Sequence, residues 1–399
     1  MPLFAQHPRS GDHITANLTA AAWVISPRYG VSYSFDHAGR LLSLFRDERS
    51  CQRTLDHRLL ERRPNSANRR HELPPADSEA VLAAVFDDLR DLAGIVPDLA
   101  LDAAQQRTLS DVLETILAFG PPRLTADGAR FRALYKPVSI LPPDQYLALV
   151  LQATEGCSWN RCTFCGLYRD RPFRILTPDQ FRAHCQAVQD FYGAGLSLRR
   201  GIFLADANAL IMPQRRLLAI MAIAQGFFGQ PDAPRAVHSF VSAFDVGRKS
   251  AEDWAALAAL GLKRAYIGLE TGDDDLLRFL NKPGTAQDAI DAVHALRAGG
   301  VAVGVILMAG IGGERYAETH VARSVEALQT MQLGPRDQVY ISHYMPAPDT
   351  EYPDLAAAAG IRALAHDEVV AQMQTLQTRA RAAAPSAKVA PYHVQGFAL

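Results

Sequence analysis

Three cysteines lie close together in the middle of the chain, at Cys157, Cys162 and Cys165. Four residues separate the first two, and two residues separate the second and third. Thiolate is the usual protein ligand of iron–sulfur clusters, and three thiolates on one compact loop can each bind a different iron of a cubane cluster. Three ligands for four irons leave one iron open to a substrate or a cofactor.

Other interpretations of these cysteines fit less well. A structural zinc site normally closes with four ligands, but no other cysteine is near and His184, the nearest histidine beyond the loop, falls in a predicted helix. A redox pair of Cys162 and Cys165 lacks a thioredoxin-like context. Simple core packing is disfavoured because the residues between the cysteines are polar. For Cys51 and Cys185, which stand alone, we expect only packing in the core.

The cysteine loop directly follows a strand that opens a regular alternation of strands and helices. Six strands are predicted, at residues 146–151, 201–205, 237–244, 264–269, 301–308 and 339–344. Helices are predicted from Thr177, Pro213 and Ser250, and near residues 273–281, 286–298 and 314–331. This alternation with short loops implies a parallel sheet. Active sites of such folds collect at the carboxyl ends of the strands, where the cysteine loop lies.

The remainder of the chain is predicted to flank this core. Residues 1–130 form a small α+β region, with a hairpin around Gly39, a solvated polar loop at 61–76, and helices at 77–93 and 102–118. Residues 140–352 form the α/β core, and 353–399 form a C-terminal helical extension. One hypothesis is that the N-terminal region caps the substrate pocket, which deletion of residues 1–75 would test through substrate turnover.

Composition and charge limit the class of protein. The formal net charge is −1, so no global field draws a nucleic acid or an anionic membrane. No uninterrupted apolar run approaches the roughly 20 residues of a membrane span. The first residues lack the pattern of a signal peptide. We therefore expect a cytoplasmic protein with no membrane partner, and a nucleic acid is an unfavoured partner.

The stretch Gly-Cys-Ser-Trp-Asn-Arg-Cys-Thr-Phe-Cys that begins at Gly156 resembles the signature of the radical S-adenosylmethionine (SAM) superfamily. The commonest spacing in that superfamily has three residues in the first gap, and this loop has four, like one branch of it. The resemblance covers roughly residues 146–350. It implies a partial (βα)6 barrel of radical SAM type, preceded here by the small α+β region.

The resemblance also implies the cofactors and the reaction type. The three cysteines would bind a 4Fe–4S cluster, and the amino and carboxylate groups of SAM would chelate the open iron. One electron, from a donor such as flavodoxin or ferredoxin, then cleaves SAM to methionine and a 5′-deoxyadenosyl radical. That radical abstracts a hydrogen atom from the substrate, while the protein positions the cofactors and excludes water.

Further residues acquire a SAM-binding role through the resemblance. They lie in the cysteine loop or at the ends of predicted strands and helices: Phe164, Asp206, Ser242, Glu270, Lys282 and Gly310. Asp206, with Asn208, stands where the family has Gly-Gly-Glu and would pair with the amino group of SAM. Glu270 would bind the ribose hydroxyls, and a glycine-rich turn that includes Gly310 would lie near the adenine.

Each of these assignments has a structural alternative. Asp206 could be a turn residue, Phe164 a loop anchor and Lys282 a solvated lysine at a helix end. Glu314 could simply begin a helix. For His343 and Tyr344, at the end of the sixth strand, core packing is the better interpretation.

The substrate is not evident from the sequence. A second cysteine trio and the Asp-x-His-x-x-Gly motif of corrinoid domains are both absent, so one cluster and no corrinoid are predicted. The leading hypothesis is an enzyme acting on a small or medium-sized substrate. Modification of RNA by the same radical is an alternative with modest support from basic stretches such as 62–63, 69–70 and 169–174. A metal-binding protein without enzymatic activity is the third.

Overall fold

A computed structural model describes residues 1–62, 70–230, 233–347 and 349–392. The chain divides into two compact units. Unit 1 contains Met1–Pro137 and the segment Ala187–Arg200, and unit 2 contains Val138–Gln186 and the described residues from Gly201 onward. Among the described residues, no helix is long and apolar enough to span a membrane.

Unit 1 is built on an antiparallel sheet of eight strands, each hydrogen-bonded to the next along the chain. The strands are β1 (Pro2–Gln6), β2 (His13–Leu18), β3 (Trp23–Ser26), β4 (Ser32–Phe35), β5 (Leu41–Arg46), β6 (Arg49–Arg53), β7 (Leu59–Arg62) and β8 (Arg70–Glu72). The predicted hairpin around Gly39 is confirmed, because β4 pairs with β5 and Phe35 lies opposite Leu41.

The predicted solvated loop at 61–76 is wrong at both of its ends. Glu61 belongs to β7 and pairs with His71 of β8, and a helix begins at Pro75. Glu61 is buried and pairs with Arg49 of β6, whereas Arg62, His71 and Glu72 are exposed at this side of the sheet. Residues 63–69 lie outside the described part of the chain.

Three helices follow the sheet in unit 1: α1 (Pro75–Ile95), α2 (Ala103–Ala118) and α3 (Pro121–Leu134). The first two correspond to the predicted helices, and α2 is capped by Asp102, which accepts hydrogen bonds from the N–H groups of Ala104 and Gln105. The third was not predicted, because Pro121 and Pro122 indicated only a break. Proline fits the first turn of a helix, where its missing N–H costs nothing.

Unit 2 contains a parallel sheet of seven strands in the order β17-β16-β15-β14-β13-β12-β9, and a separate two-stranded ribbon of β10 and β11. Its strands are β9 (Leu149–Gln152), β10 (Thr154–Glu155), β11 (Arg174–Ile175), β12 (Ile202–Ala205), β13 (Val237–Phe240), β14 (Leu262–Glu270), β15 (Ala302–Ala309), β16 (Gln338–His343) and β17 (Lys388–Tyr392). The six predicted strands are thus confirmed as β9, β12, β13, β14, β15 and β16, with bounds shifted by a few residues.

The helices of unit 2 alternate with these strands. They are α4 (Pro178–Tyr192), α5 (Gln214–Phe228), α6 (Ala243–Val246), α7 (Ala251–Ala259), α8 (Asp274–Phe279), α9 (Ala286–Ala298), α10 (Gly313–Met331), α11 (Tyr352–Ala358) and α12 (His366–Ala383). Helix α4 continues into the segment that belongs to unit 1. The caps follow the sequence, since the hydroxyls of Thr177 and Ser250 accept hydrogen bonds from N–H groups three residues on.

The segment after residue 353 differs from the predicted helical extension. It contains α11 and α12, but it ends in β17, which joins the parallel sheet beside β16. The hydroxyl of Tyr392 donates a hydrogen bond of 2.7 Å to the carbonyl of Leu141, in the segment before β9. The two edge strands of the sheet are therefore linked through Tyr392.

Candidate cluster and cofactor site

The three clustered cysteines lie on one loop, residues 156–173, which we call the cluster loop. The ribbon of β10 and β11 joins its two ends, with Thr154 paired to Ile175. Gly156 opens the loop with a φ of +75°, and a Cβ there would lie 2.9 Å from the carbonyl oxygen of Pro172. A glycine is needed at this position because the two ends of the loop come together.

Internal hydrogen bonds shape the loop around the thiols. The N–H of Asn160 donates to Cys157 Sγ (3.4 Å), and its side-chain amide donates to the carbonyl of Tyr168 (2.9 Å). The guanidinium of Arg169 donates to the carbonyls of Cys162 and Cys165 at 3.3 and 3.1 Å. Arg169 therefore holds the backbone of two of the three cysteines.

Burial favours the protonated form of two of the three thiols, those of Cys162 and Cys165. Burial raises the pKa of Cys162 to about 12, and burial also raises the pKa of Cys165. The ammonium of Lys282 opposes both shifts, because it favours the thiolate forms. A cationic iron centre would act in the same direction and more strongly.

Asp206, at the end of β12, holds the start of the cluster loop. It is 3% exposed and accepts hydrogen bonds from the N–H of Gly156 (3.0 Å) and the side-chain amide of Gln152 (3.1 Å). Arg171 forms an ion pair with it at 3.4 Å. Burial raises the pKa of Asp206, although Arg171, Gln152 and Gly156 all favour its charged form. Both carboxylate oxygens are therefore engaged by the protein.

Asn208 connects three elements at the same edge of the sheet. Its side-chain amide donates to Ser158 of the cluster loop (3.0 Å) and to Asp245 of α6 (2.9 Å). Its side-chain oxygen accepts from the N–H of Ser242 (3.1 Å). Asn208 is 1% exposed, so its role is to fix the positions of these segments.

Glu270 occupies an unusual position at the end of β14. Its φ is +64°, in the left-handed region, and the strand register shifts between Gly268 and Glu270. Such a conformation costs of order 1–3 kcal/mol and persists where the surroundings hold it. The following turn is tied to α10, because the N–H of Gly272 donates to Ser324 Oγ at 2.9 Å. A Cβ at Gly268 would overlap the Glu270 carboxylate.

Glu270 faces Lys282, with 3.5 Å between Oε1 and Nζ. Burial raises the pKa of Glu270, and Lys282 only partly offsets this effect. For Lys282, burial disfavours the charge, but Glu270 and the nearby Cys162 and Cys165 outweigh it and raise the pKa. We therefore treat the two side chains as an ion pair.

The turn that carries Lys282 is hydrogen-bonded to the cluster loop. The N–H of Thr163 donates to the carbonyl of Leu280 (2.9 Å), and the indole of Trp159 donates to the carbonyl of Asn281 (2.8 Å). The side chain of Asn281 donates back to the carbonyl of Arg161 (2.9 Å). These bonds explain why Lys282 lies beside the cysteines although it is far from them in sequence.

One cavity of about 200 Å³ in unit 2 brings most of the predicted site together. The predicted residues that line it are Cys157, Cys162, Cys165, Phe164, Ser242, Glu270 and Lys282. Phe164 is half-buried and also packs against a hydrophobic cluster that includes Leu276 and Tyr352. It therefore serves as an anchor of the loop and as a wall of the cavity.

Two predicted residues are not among those that line this cavity. Asp206 points to the base of the cluster loop, as described above, and the neighbouring Ala207 lines the cavity instead. Gly310 has a φ of +85°, and its N–H donates to the side chain of Gln372 at 2.7 Å. A Cβ at Gly310 would meet Val369 of α12 at 3.2 Å. Gly310 is thus required for packing of α12.

The remaining candidates pack as expected or lie apart. Cys51 and Cys185 are buried, and Tyr344 packs against Tyr352 with ring centroids 5.2 Å apart. Glu314 forms an exposed ion pair with Arg362 at 2.7 Å. His343 does not line the cavity within the described part of the chain.

Several site residues were not found from the sequence. Gln152, Arg169, Arg171 and Gly268 have their roles only because distant segments meet. A local signal existed for Gly268 alone, since a glycine two residues before a functional carboxylate at a strand end indicates a close approach.

The donor set fits an iron–sulfur cluster. Three thiols on one loop line one cavity, and their backbone is fixed by Arg169 and by the turn around Asn281. Within the described ranges, no three His, Cys, Asp or Glu side chains form a group that could hold a metal ion. A single metal ion needs ligands that converge on it, whereas the thiolates of a cubane each bind a separate iron.

Comparison with known proteins gives a family for this region. The family model described as the Radical SAM superfamily matches residues 151–325. A curated protein, 4'-phospho-dehydrooxetanocin synthase from Priestia megaterium, is 26% identical over 168 residues. This alignment covers 39% of the present chain and 22% of the relative, so the chain matches about a fifth of the length of that protein.

Solved structures show weaker similarity. Coproporphyrinogen III oxidase (HemN) from Escherichia coli is 14% identical, with a TM-score of 0.44, and the match covers 64% of this chain and 56% of HemN. Methylornithine synthase (PylB) is 15% identical, with a TM-score of 0.40, and the match covers 77% and 81% of the two chains. Similarity at this level carries no argument about what the present chain binds or converts.

Proposed function

Residues 151–325 match the Radical SAM superfamily model, and we propose that the chain is a radical SAM enzyme whose 4Fe–4S cluster is held by Cys157, Cys162 and Cys165. The observation that carries the proposal is the shared cavity. The three thiols line it together with Ser242, and the same cavity is lined by the ion pair of Glu270 and Lys282.

When bound, the cluster and SAM supply a 5′-deoxyadenosyl radical, which abstracts a hydrogen atom from the substrate. The residues of the chain bind and orient the two cofactors. Glu270 presents a carboxylate to the ribose hydroxyls, and Ser242 offers a hydroxyl from the neighbouring strand end. Phe164 provides an apolar wall beside the adenine. Lys282 balances the negative charge of Glu270 and of the cysteine thiolates.

We assign Asp206 a positioning role rather than direct contact with SAM. Its two oxygens are occupied by Gly156, Gln152 and Arg171, and its side chain is buried. A carboxylate that already has three partners offers little to the amino group of a ligand. Asp206 therefore fixes the first residue of the cluster loop, next to Cys157. For Gly310 we likewise assign a role in packing against α12 and not in contact with the adenine.

A small or medium-sized substrate remains the leading proposal, and modification of RNA is disfavoured. The basic stretch at 169–174 is engaged within the protein. Arg169 bonds to the cluster loop, Arg171 pairs with Asp206 and Asp170, and Arg174 pairs with Glu155 at 2.7 Å. Arg169 and Arg171 are therefore engaged within the protein, and Arg174 is held in a surface ion pair. Arg63 and Arg69 lie outside the described residues.

The proposal also requires an electron donor. A small acidic redox protein such as flavodoxin or ferredoxin would supply the electron, in a reducing compartment such as the cytoplasm. Five cysteines in the free thiol form are consistent with such a compartment.

Anaerobic reconstitution with iron and sulfide, followed by an assay of 5′-deoxyadenosine formed from SAM and dithionite, tests the proposal. We expect about four irons per chain and deoxyadenosine formation without any added substrate. Purified protein that holds only zinc and forms no deoxyadenosine would contradict it.

A matched pair of variants shows which cysteines are responsible. Cys162→Ala should abolish the iron–sulfur absorbance and deoxyadenosine formation together. Cys51→Ala removes a buried cysteine of unit 1 and should leave both unchanged. Equal iron content in the two variants would argue against the assigned ligands.

A further inference from the structure

The part of the cavity away from the cluster loop is lined mainly by apolar and aromatic side chains. Strand register orders them by depth, because Phe240 and Gly304 both pair with Tyr266, and Ile306 pairs with Gly268 further along β14. Tyr266 lies four residues before Glu270, which is roughly 13 Å along a strand. The apolar part of the cavity, which we call the deep end, is therefore lined by Phe240 and Tyr266 and, two residues nearer to Glu270, by Ile306.

Three hydroxyl groups of residues that line the cavity, one of them in the deep end, are already bonded to the protein. Tyr266 Oη donates to Asp144 at 2.7 Å, and Tyr392 Oη donates to the carbonyl of Leu141 at 2.7 Å. Ser342 Oγ donates to the carbonyl of Leu307 at 3.0 Å. In the deep end a ligand thus meets the rings of Phe240 and Tyr266, and the Tyr266 hydroxyl is not left to donate to it.

Charged groups are confined to the mouth of the cavity. Among the described residues that line the cavity, the acidic and basic side chains are those of Glu270 and Lys282. These two side chains pair with each other. No arginine lines it within the same residues. A phosphate or carboxylate that entered the deep end would lose its hydration without gaining a cation, which is costly.

The link between the edge strands limits the size of what can enter. Tyr392 is 1% exposed and lines the cavity together with Ile140, and its bond to Leu141 joins β17 to the segment before β9. A wall is therefore present where the sheet would otherwise be open. A compact molecule fits behind it, and a nucleic acid does not.

From these observations we infer that the substrate is a compact, uncharged molecule whose reacting part is apolar or aromatic. It binds in the deep end, with Phe240, Tyr266 and Ile306 against its reacting carbon skeleton. The inference rests on the proposed radical SAM function, because it assigns the mouth of the cavity to SAM.

A pair of probes that share a naphthalene ring and differ by a charged phosphate group tests the inference. Binding of 1-naphthol and of 1-naphthyl phosphate is measured by calorimetry on the reconstituted, oxidised protein saturated with SAM, under anaerobic conditions and without reductant. We expect 1-naphthol to bind at least roughly tenfold more tightly. Equal or tighter binding of the phosphate, or no binding of 1-naphthol below about 1 mM, would overturn the inference.

Two lysine substitutions locate the binding. Ile306→Lys places a cation in the deep end and should reduce the preference for 1-naphthol at least tenfold. Val370→Lys adds the same charge on α12, where Val370 is 38% exposed, and should leave the preference unchanged. Equal effects of the two would also count against the inference. Circular dichroism shows whether each variant folds. If Ile306→Lys does not fold, the comparison of the two probes on the wild-type protein still tests the inference.

Failure of this inference can be separated from failure of the proposed function. Iron content and deoxyadenosine formation are measured on the same preparation. If both are present and 1-naphthol does not bind, only the substrate class is wrong. If the cluster is absent, the proposed function is wrong, and the inference about the substrate, which rests on it, is wrong with it.

Discussion

At the scale of single residues, the arrangement around Asp206 links one buried charge to the position of the cluster ligands. Its carboxylate connects the end of β12 to Gly156, the residue before Cys157. Arg171, at the other end of the cluster loop, supplies the countercharge. Removing one partner of a buried ion pair leaves the other unpaired and typically costs about 3–5 kcal/mol.

We therefore expect Asp206→Ala to weaken the hold on the cluster. Iron should be lost to a chelator at least several-fold faster than from the wild type, as followed by the decay of iron–sulfur absorbance. Asp170→Ala is the matched control, because Asp170 pairs with the same Arg171 at 2.7 Å but is exposed at the surface. It should lose iron at the wild-type rate.

The same measurement separates the two roles considered for Asp206. If Asp206 bound the amino group of SAM, Asp206→Ala would raise the dissociation constant of SAM and leave cluster loss unchanged. Asp206→Asn keeps one acceptor oxygen and should lie between the wild type and the alanine variant in cluster stability.

At the scale of elements, β14 shows how neighbouring strands make space for one another. The ring of Tyr266 lies over Gly304 of β15, and a Cβ at Gly304 would overlap it. The hydroxyls of Tyr266 and Tyr340 both donate to Asp144, at 2.7 and 2.8 Å, so three elements meet at this end of the sheet. Glycine at 304 is thus a packing requirement of the aromatic layer.

Gly304→Val should therefore destabilise the protein by about 1–3 kcal/mol, because the added atoms displace the Tyr266 ring. Urea unfolding followed by fluorescence measures this change. Gly226→Ala in α5 is the control, since a Cβ there has nothing within 4 Å. It should be neutral or stabilise by up to about 1 kcal/mol through helix propensity. Similar losses in both variants would contradict the packing argument.

At the scale of the whole molecule, one buried arginine connects the parts of unit 1. In unit 1, Arg40 is 2% exposed and pairs with Asp127 at 2.7 Å and with Asp36 at 3.4 Å. It also donates to the carbonyls of Phe191 and Tyr192, which belong to the same unit. One cation thus connects the hairpin, α3 and the segment Ala187–Arg200.

Arg40→Met should destabilise unit 1 by about 3–5 kcal/mol, because two buried carboxylates lose their countercharge. Hydrogen exchange measured by mass spectrometry should show faster exchange in peptides from Met1–Pro137. Arg90→Met removes an exposed arginine, 60% accessible, that pairs with Asp87 on α1. It should change stability by less than about 0.5 kcal/mol. Unchanged exchange in Arg40→Met would contradict the role assigned to Arg40.

One buried histidine and three half-buried histidines give the molecule a predictable response to acid. Burial lowers the pKa to about 4 for His57 in unit 1 and for His184, His238 and His320 in unit 2. The unfolded chain binds protons first, so stability is complete above the ordinary histidine pKa of about 6.5 and falls as the pH drops toward 4.

His320 offers the test of this acid response. It is fully buried and bonds to Thr271 at 2.8 Å, and the charge of Asp273 only partly offsets the effect of burial on its pKa. The pKa shift corresponds to about 3 kcal/mol of stability lost by pH 4. His320→Gln keeps a hydrogen-bonding group and should flatten the decline in unfolding free energy between pH 7 and 4.5. The same slope in both proteins would show that His320 does not contribute.

Much of the fold and part of the site could be predicted from local patterns. The strand and helix periodicities gave the six core strands, and Thr177 and Ser250 gave helix caps, because these signals depend on neighbouring residues alone. Strands β1 to β3 and β6 to β8 were missed, and β6 to β8 are mainly polar and lack a hydrophobic alternation. Helix α3 was missed because its opening prolines resemble a break, and β17 because it is short and far from its partner.

What the sequence determines by itself is the chemistry of the cluster loop. The three cysteines and the buried strand before them lie within a short stretch of consecutive residues, so this chemistry could be predicted without the tertiary structure. Whether Asp206 contacts SAM or holds the loop, and whether Gly310 faces a ligand or α12, depends on which distant side chains reach them. Tertiary structure alone brings Arg171, Gln152 and Gln372 to these positions, because buried polar groups bond to whatever packing places beside them.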